Sequence, residues 1–231
     1  MFFWSENKIK WYDRAAKWTR YHEHLADEIS PFLVKGEKIC DLGCGTGHLA
    51  IVLANRGYPL TAIDISEQAI DFIRREIGKE QTELLETKRL SWNDIPQGVQ
   101  WDTVIMNFTG DITREFEKYF SLCSRQLIYI MRRFNYSSVG NREHSQRYQD
   151  INKEMICAIE RRGAVYETHE FEFEFGQPFI SIEEALDYIR AYAKRAGGEK
   201  YLVEKIENTN NQHYPLYLPY KKRITICVIK K

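Results

Sequence analysis

The sequence has no excess of either charge: lysine plus arginine and aspartate plus glutamate number 33 each, a formal net charge of zero. Proteins that hold nucleic acid by its phosphates usually carry a basic surplus. The balance therefore weighs against a nucleic-acid partner and leaves room only for a local patch. Cysteine is scarce and odd in number: Cys40, Cys44, Cys123, Cys157 and Cys227 make five, with no C-x-x-C pair. That usage argues against a disulfide scaffold and for reduced thiols in a cytoplasmic protein. Cys40 and Cys44 stand close together, yet the sequence around them lacks the further ligands a zinc site needs, so no metal is expected. No apolar run is long enough to span a bilayer, and the N-terminus lacks the apolar core of a signal peptide, so no membrane partner is expected. Internal repeats and low-complexity tracts are also missing.

What is present is ordinary globular material, 43% hydrophobic and 29% charged over 231 residues. That length suits one sizeable α/β domain with room for an inserted cap. Its organising stretch is Lys38-Ile39-Cys40-Asp41-Leu42-Gly43-Cys44-Gly45-Thr46-Gly47-His48-Leu49-Ala50. It reads as an apolar strand end, a glycine turn and a helix start. Gly43, Gly45 and Gly47 remove every second Cβ, so a ligand can lie on the main chain. The helix beginning near His48 then points free N–H groups at whatever the turn holds. Asp41 is a carboxylate in an otherwise buried strand. Burying it costs several kcal/mol unless a partner hydrogen-bonds to it. Hydroxyls or an ammonium on a ligand would do so.

Two ligand classes suit such a turn. Gly45-Thr46-Gly47-His48-Leu49-Ala50 satisfies the G-x-G-x-x-G/A dinucleotide fingerprint, with Asp64 at a distance fit for a ribose. A glycine-rich connection without a ligand is the bland alternative, and it leaves Asp41 unexplained. With Asp41-Leu42-Gly43 in front, the whole segment resembles the first motif of the class I S-adenosylmethionine-dependent methyltransferases.

After the turn, strand and helix patterns alternate, as in a parallel sheet with crossover helices. Leu60–Asp64 reads as a second strand, with Ser66 capping a helix over 67–77. A third strand ends near Leu90, a fourth covers 101–107, Asp111 caps a helix over 113–123, and 126–131 is a fifth strand. A polar loop over 135–147 precedes a helix over 148–162. Phe171, Phe173 and Phe175 alternate with glutamates in a half-exposed strand, and 224–229 forms the last one. Ahead of the sheet, Trp11, Ala15, Trp18, His22, Leu25 and Ile29 recur at three- and four-residue steps and are expected to share one helix face, ended by Pro31. His22 on that face reads as a packing residue.

The resemblance implies an α/β fold: a Rossmann-like, doubly wound, mostly parallel seven-stranded sheet with an antiparallel last strand and helices on both faces. It implies residues 1–37 as an N-terminal helical cap and 38–231 as the catalytic domain. Within the latter, the long link over 177–222 reads as a lid inserted between the last two strands, or else as a structural extension or dimer surface. It implies S-adenosylmethionine as cofactor and S-adenosylhomocysteine as product. Asp41, Gly43, Cys44, Gly45 and Gly47 would cradle it, Asp64 would take the ribose hydroxyls and Ile65 would pack on the adenine. Ser91 stands where the family usually has an acid and Trp92 where it has a small residue, with Asp94 as a shifted alternative acid. Asn107 leaves the fourth strand beside the reactive sulfonium, and Tyr12 and Tyr21 of the cap reach the methionine end.

The acceptor half is less marked. The Asn-Pro-Pro-aromatic tetrad and the Pro-Cys pair of other subclasses are absent, and a small-molecule acceptor is expected. Phe108, Arg132, Arg133 and Tyr214 are candidate substrate contacts, the arginines suiting a carboxylate or phosphate. No residue declares itself a general base. His144 and His213 are the candidates, each with an ordinary surface role as its alternative. Two other functions stay open: a cofactor-binding protein without catalysis, or a nicotinamide-dependent oxidoreductase. Against the latter stand Asp41 and the absence of a Tyr-x-x-x-Lys pattern. Oligomeric state is open.

Overall fold

A computed structural model describes residues 4–78, 83–133, 153–192 and 202–231. The chain opens with two helices, α1 (Glu6–Thr19) and α2 (Tyr21–Ile29). Alternation then begins with β1 (Ile39–Leu42), α3 (His48–Asn55), β2 (Leu60–Asp64), α4 (Glu67–Glu76) and β3 (Leu85–Arg89). It continues through β4 (Trp101–Asn107), α5 (Ile112–Ser121), β5 (Cys123–Arg132), a helix α6 at 153–160 and β6 (Val165–Glu174). The remaining elements are β7 (Gln177–Phe179), α7 (Ile182–Tyr192), β8 (Glu207–Asn208), β9 (Leu216–Leu218) and β10 (Lys221–Lys230). The caps follow the sequence: Ser66 Oγ accepts from Ala69 N at 3.3 Å, and Asp111 Oδ1 from Thr113 N at 3.1 Å.

Seven strands form one sheet in the order β3-β2-β1-β4-β5-β10-β6, parallel except for β10, which runs antiparallel to both of its neighbours. The doubly wound sheet with its antiparallel last strand is as expected. Strand order reverses between β1 and β4, so a crevice opens at their carboxyl ends, where open α/β sheets bind ligands. One face is covered by α2, α3 and α4 through Tyr21, Leu25, Leu53, Ile70 and Ile73. The other is covered by α5 and α6 through Phe116, Tyr119, Met155 and Ile159.

The continuous helix face over residues 11–29 is corrected. Arg20 adopts φ 52° and breaks the run into α1 and α2. Their apolar residues then face different bodies. Trp11 packs edge-on against Tyr188 of the insertion at 5.4 Å, whereas Tyr21, Leu25 and Ile29 enter the sheet core. Trp18 is left 37% exposed. A three-to-four-residue period detects buried turns of helix and is blind to a one-residue reversal between them.

Between β6 and β10 the chain builds a separate three-stranded sheet, β7-β9-β8, with α7 and its own small core of Phe179, Ala185, Ile189, Leu202 and Leu218. This unit docks on α1. Arg14, 9% exposed, donates to Pro178 O at 3.2 Å and pairs with Glu184 at 2.6 Å. The cap helix and the insertion are therefore joined by a buried charged contact.

Candidate functional site at the switch point of the sheet

The glycine turn is held by the strand beside it. Gly43 N and Cys44 N both donate to Ile63 O, at 2.8 and 3.0 Å, and Gly47 N donates to Cys44 O at 3.0 Å. Gly45 N donates to Asp64 Oδ2 at 2.8 Å, while Ser66 N donates to Asp64 Oδ1 at 2.8 Å. Two amides thus fix the Asp64 carboxylate beside the turn, and each oxygen keeps room to accept another hydrogen bond. Two glycines are required here. Gly43 has φ 74°, and a Cβ on it would overlap the Thr109 side chain. Gly45 has φ 55°, and a Cβ there would lie 2.9 Å from the Trp4 ring. Trp4 therefore lies over the turn, so the cap segment reaches the crevice.

Two buried acceptors lack partners. Asp41 is 1% exposed, and its Oδ1 accepts no hydrogen bond among the described residues; Asn107 Oδ1 is in the same state. They belong to neighbouring parallel strands and lie at or near the carboxyl ends: Asp41 pairs in register with Ile105, two residues before Asn107. Burial, followed by the nearby Asp64 charge, pushes the Asp41 carboxyl up to about 7. Leaving such oxygens unmet costs about 1–3 kcal/mol each, so the place is built for a donor.

The α1–α2 cap closes one side. Tyr12 Oη and His22 Nε2 are 3.1 Å apart, and the His22 ring stacks on that of His48 with centroids 5.1 Å apart. His48, first residue of α3, links Thr46 Oγ1 at 2.9 Å to Asp13 of α1 at 3.0 Å. Burial opposes the charge on Asp13, but hydrogen bonds from His48 and Lys17 outweigh it and hold the carboxyl below its ordinary range. Burial drives His22 well below the usual histidine value, so it is neutral, and it raises Tyr12 and Tyr21. Tyr21 is fully buried, and its hydroxyl has no hydrogen-bond partner among the described residues.

On the other side, Phe108 follows Asn107 with φ 57°, a left-handed turn for a bulky residue, and its amide donates to Ile130 O at 2.9 Å. The Arg132 guanidinium lies 5.4 Å from its ring centroid and the Lys222 ammonium nitrogen 5.1 Å from it. Arg133 instead pairs with Glu170 of β6 and is half exposed. Tyr214 stands apart against α1, 4.8 Å from Arg14 and 5.8 Å from Trp18. His213 is exposed beside Tyr214. His144 lies outside the described residues. Ser91 Oγ accepts from Asn93 N at 3.1 Å and so caps its own turn, while Trp92 sits edge-on to Tyr119 of α5 at 6.1 Å. Ile65 and Cys44 are half-buried around the crevice edge.

Four residues here escaped the sequence reading: Trp4, Asp13, His48 and Lys222. Lys222 had a signal. It shares the period-2 face of Ile224 and Ile226, so an inward lysine follows from strand alternation alone.

The description of a methyltransferase domain matches residues 33–177, more than half of the chain. The chain belongs to the methyltransferase domain family. Among solved structures, this methyltransferase chain is similar to the YcgJ protein from Bacillus subtilis, with a TM-score of 0.59 and 11% identity, covering 91% of this chain and 99% of that one. It is also similar to geranyl diphosphate C-methyltransferase from Streptomyces coelicolor A3(2), with a TM-score of 0.56 and 16% identity, covering 92% and 80%. At those identities the likeness is one of fold. A ribosomal protein L11 methyltransferase from Thermotoga neapolitana is 33% identical over 85 residues, 36% of this chain. The match spans about a third (31%) of that relative's length.

The residues of the crevice fit S-adenosylmethionine. Its ammonium would supply the donors that Asp41 Oδ1 and Asn107 Oδ1 lack among the described residues, and its ribose hydroxyls would suit Asp64. Among the described residues no group of histidines, cysteines and acids is arranged to hold a metal ion, and no helix is long and apolar enough to cross a membrane.

Proposed function

We propose that the chain is an S-adenosylmethionine-dependent methyltransferase acting on a small molecule. The observation that carries the reading is the pair of buried, unmet acceptors, Asp41 Oδ1 and Asn107 Oδ1, beside the amide-fixed carboxylate of Asp64. A nucleoside with an amino-acid tail answers both features at once. A pyrophosphate would bring further negative charge against Asp41.

When bound, the cofactor supplies an activated methyl group on a sulfonium. The protein's share is to orient and to exclude water, which accounts for several kcal/mol in such a displacement. Asp41 and Asn107 would hold the amino-acid end at the tips of β1 and β4. Asp64, Gly43, Cys44, Gly45, Gly47 and Ile65 would hold the nucleoside, with Ser91 and Trp92 at its rim. Tyr12, Tyr21 and Trp4 of the cap would shield the donor, and Phe108 and Arg132 would face the acceptor. The β7–β9 unit, docked on α1, would act as the lid of that pocket.

The test is thermal unfolding of the purified chain with three ligands. S-adenosylhomocysteine should raise the melting temperature by mass-action linkage. Methylthioadenosine, which lacks the amino-acid tail, should do so far less. Stabilisation by NADH in place of S-adenosylhomocysteine would overturn the reading.

A further inference from the structure

Lys222 is 4% exposed and lies within an aromatic enclosure. Its Nζ is 3.6 Å from the ring centroid of Phe175, 4.4 Å from Tyr21, 5.1 Å from Phe108 and 5.8 Å from Tyr12. The titratable groups near it are Arg132, His22 and the raised phenols of Tyr21 and Tyr12, and none of them is a carboxylate. Among the described residues no carboxylate pairs with Lys222 or with Arg132. Aromatic faces return to a desolvated cation less than its burial removes. Burial first, and the Arg132 charge second, accordingly depress the Lys222 amine well below the ordinary lysine range.

Two basic side chains with no carboxylate partner among the described residues thus flank one ring, Phe108, which directly follows Asn107 in the proposed donor site. Resting on the methyltransferase reading, a cationic sulfonium would arrive beside them. A protonated Lys222 would then face two other positive groups, the Arg132 guanidinium and the sulfonium, and both repel it; an anion seated among them turns repulsion into attraction and favours the charged amine. We propose that the methyl acceptor is an acid, with a carboxylate or phosphate group seated against Arg132 and Lys222 and an aromatic or apolar body among the enclosing rings. The Arg132 fork gives the directional contact and Lys222 the point charge. The enclosure gives the apolar body its burial.

The test uses the whole chain saturated with S-adenosylhomocysteine, probed with benzoate, phenyl phosphate and the neutral isostere benzamide at matched ionic strength. Benzoate or phenyl phosphate should bind in calorimetry and raise the melting temperature, and benzamide should do neither; the better of the two anions identifies the group. Lys222→Met keeps the apolar stem, and Arg132→Gln changes a solvent-reaching side chain. Each should weaken the anion about tenfold or more and leave S-adenosylhomocysteine affinity within about threefold of wild type. Should Lys222→Met fail to fold, Arg132→Gln carries the test. Equal binding of benzamide and benzoate, no anion binding to the loaded protein, or unchanged anion binding in both variants would each overturn the proposal. A wild type that S-adenosylhomocysteine does not stabilise would overturn the underlying methyltransferase reading and this one with it.

Discussion

Asp41 and Asn107 lie on adjacent parallel strands, β1 and β4, and each keeps a buried oxygen that nothing in the described protein meets. Protein interiors rarely leave one such atom unpaired. Two, toward the same edge of the sheet, suit the multi-proton donor proposed above.

That arrangement makes cofactor affinity depend on pH. The free protein holds Asp41 at about 7, whereas an ammonium prefers the ionised form and lowers that value on binding. Binding therefore releases a proton below neutrality. S-adenosylhomocysteine affinity should rise about tenfold per unit as pH climbs from about 5.5 toward 7, then level off. Calorimetry across that range checks it, and a flat profile would remove Asp41 from the ammonium contact.

The same carboxylate should weaken the empty protein. Its folded value is raised from 3.8 to about 7, so the folded state binds the proton more tightly than the unfolded chain. Stability from this group is fully present below pH 3.8 and is lost as pH rises through 7. The shift corresponds to a cost of roughly 4 kcal/mol at most above neutrality. Asp41→Asn should thus raise stability at about pH 8, raise it by less than half as much at about pH 5, and abolish measurable cofactor binding. Urea unfolding at both values, with and without S-adenosylhomocysteine, separates these effects. Equal stability of the two proteins at the higher value would contradict the burial argument.

The glycine turn and the buried acid behind it were legible because backbone chemistry writes itself into sequence. Alternating glycines, an acid in an apolar strand and a serine cap are each forced by a local conformation. A parallel sheet with crossover helices followed from the alternation of strand and helix patterns, and its doubly wound form from the family resemblance. The cap break at Arg20 was invisible, since positive φ in a non-glycine residue has no dependable sequence mark. The Trp4–Gly45 contact and the Asp13–His48 link were equally hidden, because each joins residues more than thirty positions apart through a docking that no local period encodes. Ser91 and Trp92 were placed by analogy of position, whereas locally one caps a turn and the other packs on α5.

Asp64 does two jobs, and a variant can part them. It accepts backbone amides from Gly45 and Ser66 at 2.8 Å each, so Asp64→Ala would also loosen the turn. Asp64→Asn keeps an acceptor oxygen for one amide and loses the charge that strengthens ribose bonds. Cofactor affinity should fall about ten- to a hundredfold, with a melting temperature within a few degrees of wild type. Unchanged affinity would assign Asp64 to turn structure alone.

The cap should be tied to the glycine turn through His48. Its ring joins Thr46 to Asp13, and Lys17 extends the link by pairing with Asp13 at 2.9 Å and with Glu76 at 2.9 Å. Asp13→Asn keeps the shape but removes the charge that Lys17 pairs with. Hydrogen exchange over 6–19 should then quicken in the free protein, while β1 and β4 keep their protection. Bound S-adenosylhomocysteine should restore slow exchange if Tyr12 and Trp4 close over it. Uniformly unchanged exchange would show that α1 is held by Arg14 and Glu184 on the insertion side instead.

The opposite edge of the sheet offers a control with the reverse signature. Glu37, 8% exposed, accepts from Arg125 Nε at 2.8 Å and from Thr103 Oγ1 at 3.1 Å, joining the approach to β1 to the amino-end regions of β4 and β5. Arg125 is 38% exposed, so solvent screens part of the pair. Glu37→Gln should nevertheless cost about 1–3 kcal/mol, because it leaves buried donors imperfectly met. Nothing in that cluster reaches the crevice at the carboxyl ends. Urea unfolding should therefore show lower stability, and calorimetry on the folded variant should give the wild-type affinity for S-adenosylhomocysteine. A loss of affinity comparable to that of Asp64→Asn would mean that the two edges of the sheet are coupled, and that the crevice is shaped by the packing of the strands as well as by its own residues.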